Sequence, residues 1–88
     1  MEDNYKLEIY RTHIDEIDTR LMNLLIERYN IVTQIGEYKK QNNIPVLDKS
    51  REQFIYDKIN SLYSSETYRD FLKNIYESLM NETKKIQS

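Results

Sequence analysis

The run YRTHIDEIDTRLMNLLIERYNIVTQIGEYKK, residues 10–40, carries the strongest pattern in the chain. Within it Tyr10, Ile14, Ile17, Leu21, Leu24, Arg28, Ile31, Ile35 and Tyr38 follow one another at alternating steps of four and three. That spacing is a heptad seam. It predicts one long helix from about Asn4 to about Lys40, roughly 54 Å at the helical rise, which Gly36 weakens without breaking.

Downstream of this helix, Gln41-Asn42-Asn43-Ile44-Pro45-Val46-Leu47 reads as a loop. Asn is turn-prone, and the residue before Pro is pushed out of the α region. Asp48 then reads as the N-cap of a second helix, Lys49 to Leu62, with Phe54, Ile55, Ile59 and Leu62 on its apolar side. Ser64 and Ser65 mark a short connector. A third helix is expected from about Glu66 to about Lys85, with Phe71, Leu72, Ile75 and Leu79 inward. The fold class is therefore all-α, with one long and two shorter helices. Gly36 and Pro45 are the single Gly and the single Pro, too few for a sheet protein with a turn every ten residues or so.

The 88 residues are expected to form a single domain, 1–88, because half of so short a chain could not build its own core. That core is thin: 39% of residues are apolar, eight residues are Tyr, and the mean hydropathy is -0.82. A helix this long cannot shield its seam with two shorter ones, so a second copy is expected to cover it in an intertwined helical homodimer. Charge nearly balances, 13 Lys+Arg against 15 Asp+Glu, which argues against a nucleic-acid partner. With no Cys and one His, His13, thiol chemistry and a metal site are not expected. No apolar run suggests a signal segment or a membrane span, so a cytoplasmic location is expected.

The chemistry begins with Arg28, a guanidinium on the seam. On periodicity alone it reads as a snorkelling or register-fixing charge. Its other reading is an anion site, since a charge on such a face needs a partner. Lys39, eleven residues on, returns to within about 20° of Arg28 around the helix and lies about 16 Å further along it, so the two side chains can bend toward one point. Read by itself, Lys39 is a cation at a helix end. Arg11, seventeen residues before Arg28, is about 25 Å away and about 100° around, out of reach on the same chain but not from a partner helix. Asp48, Arg51 and Glu52 fall at the cap and first turn of the second helix, where acidic residues suit the dipole. In the third helix, Phe71, Ile75, Ser78 and Glu82 share one stripe that turns from apolar to polar. Asp15, Glu16 and Asp18 read as an ordinary wet face.

Arg11, then Ile14-Asp15-Glu16-Ile17-Asp18, Leu21, Leu24-Leu25, Glu27-Arg28, Ile35-Gly36-Glu37-Tyr38-Lys39, Pro45-Val46-Leu47-Asp48 and Arg51-Glu52 together resemble the all-helical, AroQ-type chorismate mutases. The likeness covers essentially the whole chain and needs no insertion from Arg11 to Glu52. It implies three helices per protomer, an intertwined homodimer with two sites, and the pericyclic conversion of chorismate to prephenate with no cofactor.

Carried over by position, Arg28 and the other protomer's Arg11 are similar to the arginines that hold the substrate's two carboxylates. Lys39 resembles the donor to the ether oxygen. Asp48 and Glu52 resemble the residues that meet the ring hydroxyl, Arg51 a supporting residue beside a carboxylate, and Ser78 a hydroxyl that helps hold one. The family usually places a Gln four residues after that Ser, and here the position holds Glu82. Sliding the register by one puts Leu79 and Thr83 there instead. A carboxylate beside the ether oxygen would repel the charge that develops, so Glu82 could assist only as the neutral acid. The resemblance also leaves room for an isochorismate-pyruvate lyase of the same fold. A third reading is a regulatory or interaction module docking on another enzyme of the shikimate pathway.

Overall fold

A computed structural model of the chain describes residues 2–46 and 49–87. It contains three helices, α1 (Glu2–Gln41), α2 (Lys49–Leu62) and α3 (Glu66–Gln87). The all-α expectation holds, and the α2 bounds are those read from the pattern. Asp48, expected to cap α2, lies outside the described residues. No described helix is long and apolar enough to cross a membrane.

α1 runs unbroken because its seam recurs at helical spacing and no Pro interrupts it. It ends at Gln41, and two residues on Asn43 has a left-handed φ of 56°, a conformation that Asn tolerates better than most residues. The Ile44 N–H then bonds to the Lys39 carbonyl at 2.8 Å and the Asn43 N–H to that of Lys40 at 3.5 Å. These paired bonds form a Schellman cap, which satisfies carbonyls that the helix end would otherwise leave open. Lys39 and Lys40 add favourable charge to that terminus.

The chain divides into two compact units, Met1–Ile31 and Val32–Ser88. In the first, α1 is stitched by local contacts: Arg11 Nη1 donates to Glu8 Oε1 at 3.2 Å, and the Thr12 and Thr19 hydroxyls return to the Glu8 and Asp15 carbonyls at 3.0 Å each. The seam itself stays bare. Tyr10, Ile14, Ile17, Leu21, Leu24, Ile31, Ile35 and Tyr38 are all between 43% and 62% exposed in the single chain.

In the second unit α2 packs on α3. Val32 and Ile59 are the buried apolar side chains among the described residues, and Ile55 and Tyr56 are half-buried beside Ile59 in sequence. On α3 the half-buried residues Leu72, Tyr76, Leu79, Thr83 and Ile86 recur at steps of four and three. This stripe is the inward one. Phe54, Leu62, Phe71 and Ile75, expected inward with the rest, remain 46% to 61% exposed. The reason is geometric. Two adjacent stripes run along α3, and hydrophobicity favours Phe71 and Ile75, whereas the stripe that meets the fold carries Tyr76 and Thr83, whose polar atoms disguise it. α3 begins at an N-cap, where the Ser65 hydroxyl accepts the Tyr68 N–H at 3.3 Å, and it runs on to Gln87, beyond the expected end at Lys85.

Candidate active site

The end of α1, the loop after it and the last turn of α3 meet at Lys39. The Schellman cap reverses the chain there, and Lys39 Nζ donates to the carbonyl of Val46 at 3.2 Å. From α3, Gln87 Oε1 accepts from the same ammonium at 3.4 Å. The other end of that amide, Nε2, donates to the Val32 carbonyl one helical stretch back along α1 at 3.3 Å. Both ends of Gln87 are thus fixed, which sets the orientation of the amide. An ammonium carries three N–H groups. Two acceptors meet Lys39 among the described residues, so its geometry leaves one donor for a third group. The Gln87 amide likewise has a second N–H.

Gly36 makes this approach feasible. A Cβ at Gly36 would stand 3.1 Å from Gln87 Cγ, closer than side chains normally pack, and 3.4 Å from its Cα, an ordinary contact. Gly36→Ala should therefore raise the helical propensity of α1 by about 1 kcal/mol while displacing Gln87 by a few tenths of an ångström. The expected outcome is an unchanged or higher melting temperature with kcat lowered about tenfold, in line with the sensitivity of catalysis to small misplacements. Thermal melts and steady-state kinetics on the same sample check this. An unchanged kcat would mean that the contact does not position Gln87.

Glu52, in the first turn of α2, pairs with Lys84 of α3 at 3.0 Å, and their side chains are 29% and 43% exposed. Together with Tyr56, Glu77, Met80 and Asn81 they line an open groove of about 210 Å³. Thr83, half-buried, stands one turn before Gln87 and donates to the Leu79 carbonyl at 2.9 Å. Arg51 is exposed, its guanidinium 4.8 Å from the centre of the Phe54 ring.

Arg28 is half-buried on α1 in the Met1–Ile31 unit, and Arg11, in the same unit, is exposed and paired with Glu8. Ser78 is exposed. So is Glu82, whose carboxylate accepts from Lys85 at 3.1 Å. The group that reaches Lys39 from α3 is the Gln87 amide, which the sequence reading missed. Its signal was available: Thr83 and Gln87 are a hydroxyl and an amide four residues apart, the spacing sought at Ser78 and Glu82. The stripe that holds Phe71 and Ile75 leads to Ser78 and Glu82 instead, and a helix ending near Lys85 stops short of Gln87. Among the described residues no group of three His, Cys, Asp or Glu side chains is placed to hold a metal.

A three-helix chain with a lysine ammonium held by a glutamine amide near the end of its long helix matches a known family. The family model for chorismate mutase type II matches residues 10–88. A chorismate mutase of Methanocaldococcus jannaschii is 34% identical over 93% of this chain and 84% of its own length. A bifunctional chorismate mutase/prephenate dehydratase of Aquifex aeolicus is 31% identical over 86% of this chain, which spans 22% of that longer protein. A 4-amino-4-deoxychorismate mutase of Streptomyces pristinaespiralis is 25% identical over 92% of this chain and 64% of its own length. The chain belongs to the chorismate mutase type II family. Its activity is accordingly that of a chorismate mutase, an isomerase.

Proposed function

We propose that the chain rearranges chorismate to prephenate in a site completed by two copies, with Lys39 and Gln87 as the donors to the breaking ether bond. The observation that carries this reading is the Lys39 ammonium held between the Val46 carbonyl and the Gln87 amide, itself tied to the Val32 carbonyl. In this rearrangement no nucleophile attacks and no proton moves. As the carbon–oxygen bond breaks, negative charge grows on the ether oxygen, so donors already aimed there bind the transition state more strongly than the ground state. Fixing both groups beforehand removes the cost of orienting them at the moment of reaction.

The remaining roles concern shape. The substrate is a flexible dianion that must fold into one reactive conformer, and two guanidinium groups holding its carboxylates accomplish that. Arg28 supplies one and Arg11 of a second copy the other, with Arg51 in support. Asp48 and Glu52 accept from the ring hydroxyl, and Thr83 turns its hydroxyl from the Leu79 carbonyl to donate to a carboxylate. Thr83 and Gln87 take the roles that the resemblance assigned to Ser78 and Glu82, a reading supported by the exposure of the latter pair and the contact of Glu82 with Lys85. No cofactor takes part.

Pairing of two copies is supported by the seam of α1, whose eight apolar residues are 43% to 62% exposed among the described residues. Residues 1–88 then act as one domain of the dimer, in the cytoplasm. The bifunctional relatives carry their mutase and dehydratase functions on one protein, which supports a partnership here with another enzyme of the shikimate pathway.

Subunit mixing tests the shared site. Arg11→Ala and Arg28→Ala homodimers should each be nearly inactive. In a mixed dimer one site carries both lesions and the other neither, so mixing should restore activity toward one intact site per dimer. Absence of recovery after verified subunit exchange would contradict a site built from two copies.

A further inference from the structure

The Glu52–Lys84 pair joins the proposed ring-hydroxyl acceptor to a cation on the same helix as Gln87. Lys84 and Gln87 are three residues apart, so they share one side of α3, and both are half-buried there. Lys84 Nζ is 3.0 Å from Glu52 Oε1, and both side chains line the open groove between α2 and α3. The other charged group on that groove is Glu77, also from α3 and exposed. Nothing in the clamp or in the ether-oxygen donors requires Lys84.

A carboxylate can accept from a hydroxyl or from an ammonium, and by charge it favours the ammonium. Lys84 changes that preference. With its positive charge in contact with one carboxylate oxygen, the field that Glu52 presents to a ring substituent is largely cancelled, while its remaining oxygen lone pairs still accept a hydrogen bond from a neutral donor. A substituent that is itself cationic would meet Lys84 as a like charge. An alkyl amine on the ring is protonated near neutrality, as alkyl ammonium groups are. A hydroxyl is not.

We infer that Lys84 is a specificity-determining residue, which by neutralising and orienting Glu52 makes the site select a ring hydroxyl over a ring ammonium. This rests on the reading of Glu52 as the acceptor at the ring substituent. Lys84 acts through Glu52 and touches no reacting atom, so it is a positioning residue. Because the pair is partly exposed, water screens it, and the discrimination it supplies is about tenfold rather than the larger factor of a dry site.

The test compares kcat/KM for chorismate and for 4-amino-4-deoxychorismate, whose ring carries an amine in place of the hydroxyl. Where turnover of the amine is too slow to follow, its inhibition constant against chorismate serves. Lys84→Met keeps the aliphatic stem and removes the charge. It is expected to raise KM for chorismate with little change in kcat, and to shift the hydroxyl-to-amine preference about tenfold toward the amine. Lys84→Arg, which restores the cation, should restore the preference. A folded Lys84→Met protein with the wild-type preference, alongside a Glu52→Gln protein in which the preference is altered, would overturn the role of Lys84 and leave that of Glu52 standing. A Glu52→Gln protein indistinguishable from wild type on both compounds would remove Glu52 from the ring substituent, and the inference about Lys84 would fall with it.

Discussion

Lys39→Met is expected to lower kcat for chorismate by two to three orders of magnitude. Met keeps most of the buried stem of the lysine and removes only the ammonium, so packing changes little. Removing one positioned donor from a developing oxyanion costs about 3 to 4 kcal/mol where donors are fixed in advance, which gives the size of the effect. Lys39 is fixed in that sense, between Val46 and Gln87. Its loss also leaves the Gln87 carbonyl oxygen without this donor, so a modest fall in melting temperature should accompany the kinetic defect. The effect should appear in kcat more than in KM, because the interaction strengthens as the ether bond breaks. Steady-state kinetics with a melting curve on the same preparation separate the two contributions. A protein of near-normal kcat would remove Lys39 from the reaction and leave it as a helix-end cation.

Gln87→Glu is expected to convert a rate that is insensitive to acid into one that requires it. The amide donates at every pH. A carboxyl donates only when protonated, and its ionised form beside the ether oxygen opposes the charge that grows there. Activity of the variant at neutral pH should therefore fall by at least two orders of magnitude and climb as the pH is lowered through the pKa of the new carboxyl. Contact with Lys39 favours its ionised form, so recovery should begin only at distinctly acid pH. Glu82→Gln is the companion measurement. Because Glu82 is exposed and paired with Lys85, this substitution should leave both the rate and its pH profile as they are in the wild type. The opposite pattern, with Glu82→Gln flattening the profile and Gln87→Glu silent, would return the donor role to Glu82.

The two residues contrasted by these variants mark where the sequence was legible and where it was not. Helix identity was legible because it rests on periodicity and on punctuation: the seam from Tyr10 to Tyr38, the Asn42-Asn43-Ile44-Pro45 break, and the paired serines before α3. Each is a local signal repeated over many residues or fixed by backbone sterics. The place of Lys39 near the end of α1 was legible as well. The face of α3 was harder, since a 22-residue helix with two apolar stripes does not say which one meets α2. Phe71 and Ile75 outweigh Tyr76 and Thr83 in hydrophobicity, yet the latter pair is half-buried and the former exposed. Under the proposed reading, the hydroxyl and amide positions are Thr83 and Gln87, five residues beyond the expected Ser78 and Glu82. The third helix was expected to end at about Lys85, whereas α3 continues to the glutamine that reaches Lys39. Gly36 carried a further signal. It costs a helix interior about 1 kcal/mol, and here the space it leaves is filled by Gln87.

The most direct measurement follows the absorbance of chorismate incubated with the purified chain and identifies what forms. Loss of chorismate with prephenate as the sole product, together with its suppression in the Lys39→Met protein, is the result expected. Chorismate left unchanged by the wild-type protein, with pyruvate released when isochorismate is offered in a parallel sample, would contradict it.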